Sequence, residues 1–266
     1  VSFVATILGC GSSGGVPRVG AGWGACDPAN PRNRRRRCSL LVERVAASGR
    51  TTVLVDTGPD VREQLLDAGV DWIDGVMFTH EHADHTHGID DMRVLAIHQR
   101  RLIDAHADDK TADLLRRRFG YCFETPPGSQ YPPILALNRL NDGIPVQISG
   151  AGGNLTALPF MMYHGDTDAL GFRFGSMAYS SDVNGLPPES EARLQDLDVW
   201  IVDALRYTQH PSHWSLGDAL AWIERIKPRR AILTNLHTDM DYETLSRSLP
   251  PHVVPAYDGM KVNFEA

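Results

Sequence analysis

Short apolar runs rich in Val, Ile, Leu, Thr and Phe recur along the chain, each bounded by Gly, Pro, Asp or Asn. Such runs predict strands, here FVATILG, SLLVER, TTVLVDT, GVMFT, LTALPF, FRFGSMAYSS, DVWIVDA, RAILTN and a C-terminal KVNF. Helical patterns fall between them at DVREQLLDA, TADLLRRRFG, PESEARLQD, SLGDALAWIERIK and DYETLSRSL. In residues 216–227, Leu216, Leu220, Ile223 and Ile226 recur at spacings of four and three, which makes one stripe for a core. Ser215 is placed to cap that helix, and Asp218 completes a capping box. Strands with interspersed helices at both ends of the chain predict an α/β architecture of sheets covered by helices. Residues 120–133, GYCFETPPGSQYPP, read as a lid or a long connection.

The chain has 266 residues, 42% hydrophobic and 22% charged. That length buries a large core without disulfides, and the 1–266 span is expected to be a single domain. No apolar run approaches the roughly 20 residues of a membrane span, so no membrane association is expected. The start, VSFVATILGCGSSGG, lacks the basic opening of a signal peptide. Cys10, Cys26, Cys38 and Cys122 show no CxxC pairing, which predicts reduced thiols and a cytoplasmic protein. The net charge of −7 disfavours a dedicated nucleic-acid partner. A homodimer is allowed for.

The chemistry concentrates in THEHADHTHG, residues 79–88, directly after the apolar GVMF. Imidazole is the commonest protein ligand of borderline divalent metals, and carboxylate supplements it. On an extended stretch His80 and His82 point to the same side and can grip one ion. Asp84 and His85 follow where a turn into a helix could direct them to a second. Glu81 lies between two ligands and should point away, and His87 falls outside the ligand spacing. His98, His106, His210 and His252 read as ordinary surface or loop residues.

The H-x-H-x-D-H pattern resembles the metallo-β-lactamase superfamily of dinuclear metallohydrolases. The resemblance implies a four-layer αββα sandwich with its site at the loop ends of two sheets. It also implies further ligands downstream, at His164 in MMYHGD, Asp182 in AYSSDVNG and His237 in LTNLHTDMDY. His80, His82 and His164 would hold one metal, Asp84, His85 and His237 the other, and Asp182 would bridge them. Asp56 in VLVDTG is similar to the superfamily's buried aspartate that orients ligands. Zinc and manganese both suit such mixed histidine–carboxylate shells.

GCGSSGGVP, RRRRCSLLV, GIDDMR, SDVNGLP and AYDGMKV are similar to the phosphodiesterase group associated with carbon–phosphorus lyase, which opens 5-phosphoribosyl 1,2-cyclic phosphate. Ribonuclease Z is a more distant likeness. In both, a histidine outside the metal shell assists the leaving group, and His213 in HPSHWSLGDAL matches it. The resemblance therefore implies a phosphodiesterase acting on a small cyclic phosphate or nucleotide-like ester through a metal-bridging hydroxide. His213, Asp84 and Asp182 would be its catalytic residues. Arg93 could reach a substrate phosphate, GCGSSGG could bring backbone N–H groups to one, and the run Arg34 to Arg37 reads as a solvated face or a phosphate attractor. The group's N-terminal cysteine cluster is reduced here to Cys26, so no structural zinc is expected. The stretch between His85 and His164, which includes HQRRLIDAHADDKTADLLRRRFG, looks extended, and an altered lid there would bear on substrate identity more than on reaction type. Two alternatives stay open: an RNA-processing endonuclease of ribonuclease Z type, and a nucleotide-binding protein with a retained metal site.

Overall fold

A computed structural model describes residues 1–265. The first six strands are β1 Ser2–Gly9, β2 Ser39–Ala46, β3 Gly49–Val55, β4 Gly75–Met77, β5 Ile103–Ala107 and β6 Leu135–Arg139. The second group comprises β7 Val146–Gly150, β8 Gly153–His164, β9 Thr167–Phe174, β10 Met177–Ser180, β11 Val199–Asp203, β12 Arg230–Thr234 and β13 Val253–Pro255. β14, Met260–Phe264, returns to the first group. The strands make two seven-stranded sheets, ordered β14-β1-β2-β3-β4-β5-β6 and β13-β12-β11-β10-β9-β8-β7. The helices are α1 Val61–Ala68, α2 Ala83–Thr86, α3 Met92–Gln99, α4 Asp109–Phe119, α5 Pro188–Arg193, α6 Leu216–Ile226 and α7 Tyr242–Ser248.

Side-chain alternation along the strands builds the layers. Ile7, Leu40, Val42, Val53 and Val55 of the first sheet meet Phe172, Phe174, Ile201 and Ile232 of the second in a buried inter-sheet core. The alternate residues face outward. Leu41, Leu54 and Val76 pack with Leu65, Met92 and Leu115 of the helices on one side. Trp200, Val202 and Leu233 pack with Ala219, Ile223 and Ile226 of α6 on the other. This is the expected αββα sandwich. Strands buried on both faces read as continuous apolar runs, as DVWIVDA and RAILTN do.

Several elements differ from the sequence expectation. FRFGSMAYSS is a hairpin rather than one strand: Phe174 pairs with Met177 across a turn with Gly175 in a left-handed backbone (φ 54°). The extended stretch between His85 and His164 includes α3, the parallel strands β5 and β6, and α4. β5 was hidden in the sequence because its run IDAHA is short and carries two polar residues. His106, expected at the surface, is buried on that strand. No helix among the described residues is long and apolar enough to cross a membrane.

The expected capping box is present: Ser215 Oγ accepts from Asp218 N, and the Asp218 carboxylate accepts from Ser215 N at 3.1 Å. We predict that Ser215→Ala lowers folding stability by about 0.5–2 kcal/mol, read by chemical denaturation. An unchanged midpoint would mean that the cap contributes nothing to α6.

Candidate metal centre

The histidine-rich loop leaves β4 and turns into α2, whose backbone is locked to the loop after β3. Thr57 N donates to His85 O and Gly88 N donates to Thr57 O, both at 2.8 Å. Gly58 permits this approach, because a Cβ there would collide with the Asp84 carbonyl. Asp56, fully buried at the head of the same loop, takes a left-handed backbone (φ 65°), which Asp tolerates better than most residues. Its carboxylate accepts from Thr79 N at 2.8 Å, Thr79 Oγ1 at 2.8 Å and His85 Nδ1 at 2.7 Å.

The Asp56 contact places the proton of His85 on Nδ1 and leaves Nε2 free to ligate. Nε2 lies 3.2 Å from Asp182 Oδ1 and 3.5 Å from Asp84 Oδ2. On the other side of Asp182, His164 donates from Nδ1 to Ser212 O at 2.6 Å, so its Nε2 is also free. That atom lies 3.3 Å from His82 Nδ1, which is 2.9 Å from His80 Nε2. His80 Nδ1 is turned away, against Thr79 Oγ1 at 2.9 Å. Two sets of candidate ligand atoms thus gather within 4.8 Å of one another: His80, His82 and His164, and His80, His85 and Asp182.

The donor set fits a cation. His80, His82 and His164 turn nitrogens toward one another at contact distance, and one shared proton cannot satisfy them all. Asp182 Oδ1 is buried without a hydrogen-bond partner, a costly state for a carboxylate oxygen unless something positive meets it. Burial opposes charge on His85, yet Asp182, Asp84 and Asp56 outweigh it and raise its proton affinity well above that of free imidazole. Burial and the neighbouring imidazole of His85 push His80 the opposite way, toward the neutral form that ligates.

His213 adjoins the cluster, and His164, Asp182 and His213 also share a 4.8 Å neighbourhood. Its Nδ1 donates to Asp203 Oδ2 at 2.8 Å, while Nε2 faces Asp182 Oδ2 at 3.8 Å. Burial pushes the Asp203 carboxyl up to about 7. Burial disfavours charge on His213 too, but Asp203 overcomes it and lifts the imidazole to about 9. At neutral pH the proton therefore sits on His213. Asp203 Oδ2 also accepts Val183 N at 3.0 Å, which joins the dyad to the loop carrying Asp182.

His237, expected among the ligands, stands apart from these groups. Arg18 Nη1 donates to its Nε2 at 2.6 Å, and its Nδ1 lies 3.3 Å from Asp239 Oδ1. The loop itself is anchored by the buried Arg35, whose Nη2 donates to Met240 O at 2.8 Å. Arg93 is engaged by Asp90 at 2.8 Å and lies over the Tyr121 ring. Glu81 turns outward to Lys110 at 3.0 Å, and His87 packs edge-on against Phe119. Arg118 of α4 donates to Glu81 O at 2.6 Å, so the extended stretch between His85 and His164 braces the histidine loop.

Thr79, Asp203, Arg18 and Asn235, whose side-chain amide donates to Ser181 O at 3.0 Å next to Asp182, were not picked out from the sequence. Asp203 had a signal: like Asp56, it is an acid closing an apolar strand, where the chain leaves the sheet.

A family model for the beta-lactamase superfamily domain matches residues 51–235. The chain belongs to that superfamily and has the metallo-β-lactamase fold. It superposes on a diphosphatase from the PhnP family with a TM-score of 0.88 and 32% identity, over 99% of this chain and 98% of that one. It is 34% identical over 260 residues to an octanoyltransferase of Porphyromonas gingivalis, covering 96% of this chain and 50% of that protein. It is 32% identical over 154 residues to a ribonuclease Z of Bradyrhizobium sp., covering 56% of this chain and 47% of that protein. The chain spans about half the length of the curated relatives it matches.

We predict that Asp56→Ala weakens divalent-metal affinity about 10–100-fold, measured by competition with a chelating dye. Affinity equal to wild type would show that the Asp56–His85 contact does not orient the ligand.

Proposed function

We propose that this protein is a dinuclear metal-dependent phosphodiesterase acting on a small cyclic phosphate or nucleotide-like phosphodiester. The observation that carries the reading is the pairing of a cation-seeking cluster with a carboxylate-held His213 beside it. Phosphodiester cleavage needs both, because the phosphoryl oxygens must be neutralised and the departing oxygen must receive a proton. The diphosphatase that matches over nearly the whole length supports phosphorus chemistry.

His80, His82 and His164 would hold one divalent ion, and Asp84 and His85 the other, joined by His237 once Arg18 releases it. Asp182 would serve both, since Oδ1 faces His85 Nε2 while Oδ2 lies 3.8 Å from His164 Nε2. Bound there, zinc or manganese ions would supply Lewis acidity at the phosphoryl oxygens and acidify water near neutral pH. The remaining work falls to the chain's own residues. His213 stands with Nε2 toward the site and transfers that proton to the leaving oxygen as the P–O bond breaks. Asp203 keeps the Nδ1 proton and holds the ring, and it offsets the charge on the imidazolium until transfer.

The octanoyltransferase likeness does not favour acyl transfer by a cysteine of this chain. All four thiols are buried, and burial raises those of Cys10, Cys26, Cys38 and Cys122, which keeps them protonated and poorly nucleophilic.

A panel of cyclic phosphates, bis(p-nitrophenyl) phosphate, precursor transfer RNA, lactams and thioesters tests the reading on metal-replete protein. Turnover of the small phosphodiesters is expected, and activity confined to lactams or thioesters would refute it. Cleavage of precursor transfer RNA alone would move the function to the ribonuclease Z type. His82→Ala and Asp84→Ala should abolish turnover, and wild-type rates in a fully metallated His82→Ala protein would overturn the ligand assignment. His213→Ala should lower kcat about 10²–10⁴-fold with metal content retained. Loss of metal together with activity would instead make His213 a ligand.

A further inference from the structure

The residue that blocks His237 has a geometry of its own. Arg18 opens a tight hairpin, with Arg18 N donating to Gly22 O and Gly22 N to Arg18 O, both at 2.8 Å. Gly14 lies beneath the side chain, and a Cβ there would collide with the guanidinium. The glycine-rich loop therefore seats an arginine, where the sequence had suggested backbone N–H groups approaching a phosphate. The seat delivers Nη1 to His237 Nε2 at 2.6 Å, two residues beyond Asn235, whose Nδ2 lies 3.2 Å from His213 Nδ1.

A guanidinium carries five N–H donors in a planar fork and stays charged at any working pH. Other arginines near the site loops are occupied: Arg37 pairs with Asp60 at 3.0 Å, Arg36 with Asp67 at 2.6 Å and Arg93 with Asp90 at 2.8 Å, while Arg35 and Arg118 donate to the carbonyls of Met240 and Glu81. Arg18 has no carboxylate within ion-pair distance among the described residues, and its contact at the site is an imidazole lone pair. That lone pair cannot serve Arg18 and a metal ion together. If His237 ligates, the guanidinium must leave it, and its charge and donors are then free at the rim of the site. The group with matching geometry is an anion whose oxygens lie in a fork, such as a phosphoryl group.

We infer that Arg18 is a substrate-binding residue that grips a phosphoryl group of the substrate once metal has claimed His237. This rests on the phosphodiesterase reading for the identity of the substrate, but not for the binding of phosphate. It assigns anion recognition to the hairpin rather than to Arg93, which Asp90 already occupies. It also makes Arg18 a competitor of metal at His237.

Metal-loaded wild type, Arg18→Lys and Arg18→Ala are compared by calorimetric titration with inorganic phosphate. KM and kcat on the phosphodiester are measured alongside, with metal content by elemental analysis. Arg18→Ala should weaken phosphate binding about 10–100-fold. It should raise KM far more than it lowers kcat and retain as much metal as wild type or more. Arg18→Lys, which keeps the charge but not the fork, should fall between. Phosphate binding by Arg18→Ala equal to wild type would overturn the inference, as would weakened binding that merely tracks lost metal. Calorimetry needs no turnover: a wild type that binds phosphate through Arg18 but cleaves no phosphodiester would remove the phosphodiesterase reading and leave this assignment standing.

Discussion

The site depends on one buried carboxylate. Asp56 has no exposed surface, and such a group is tolerated only when its oxygens are satisfied. Thr79 satisfies it twice and His85 once. Those contacts fix the exit of β4, the start of α2 and the tautomer of His85 together. The loop after β3 and the histidine loop are therefore one unit. Gly58 is part of the same constraint, since any side chain there would push α2 away.

From this anchor the rest of the centre follows by convergence. His80, His82 and His85 follow β4 of the first sheet, while His164 and Asp203 end β8 and β11 of the second, and Asp182 and His213 lie on the connections after β10 and β11. Asp182 stands where the two contributions meet, close to His85 on one side and to His164 and His213 on the other. The inter-sheet core of Val55, Met77, Phe172 and Tyr179 holds those loop ends in register. Fold stability and site geometry are thus coupled through packing. The histidine–aspartate dyad at His213 repeats at the second sheet the device that Asp56 and His85 use at the first. In each, an acid at a strand end holds Nδ1 and turns Nε2 inward.

Much of this was legible in the chain. Long apolar strands announce themselves because burial on both faces demands continuous Val, Ile and Leu. The H-x-H-x-D-H spacing is legible because ligands on one loop must be close in sequence. His164 and Asp182 were reachable only through family resemblance, since no local pattern encodes a contact made across two sheets. Short strands such as β5 escaped because IDAHA is too brief and too polar to show its period. Arg18 escaped for a different reason. Its role depends on the bare backbone of Gly14 beneath it and on His237 more than two hundred positions away. Sequence spacing shows neither.

On the proposed function, the two sheets together hold two divalent ions around Asp182. Anomalous diffraction from crystals of the metal-loaded protein tests it most directly. Two peaks are expected: one between His80, His82 and His164, the other beside His85 and Asp84, with an Asp182 oxygen turned to each. A single peak, or peaks remote from Asp182, would rule out a dinuclear centre at this site.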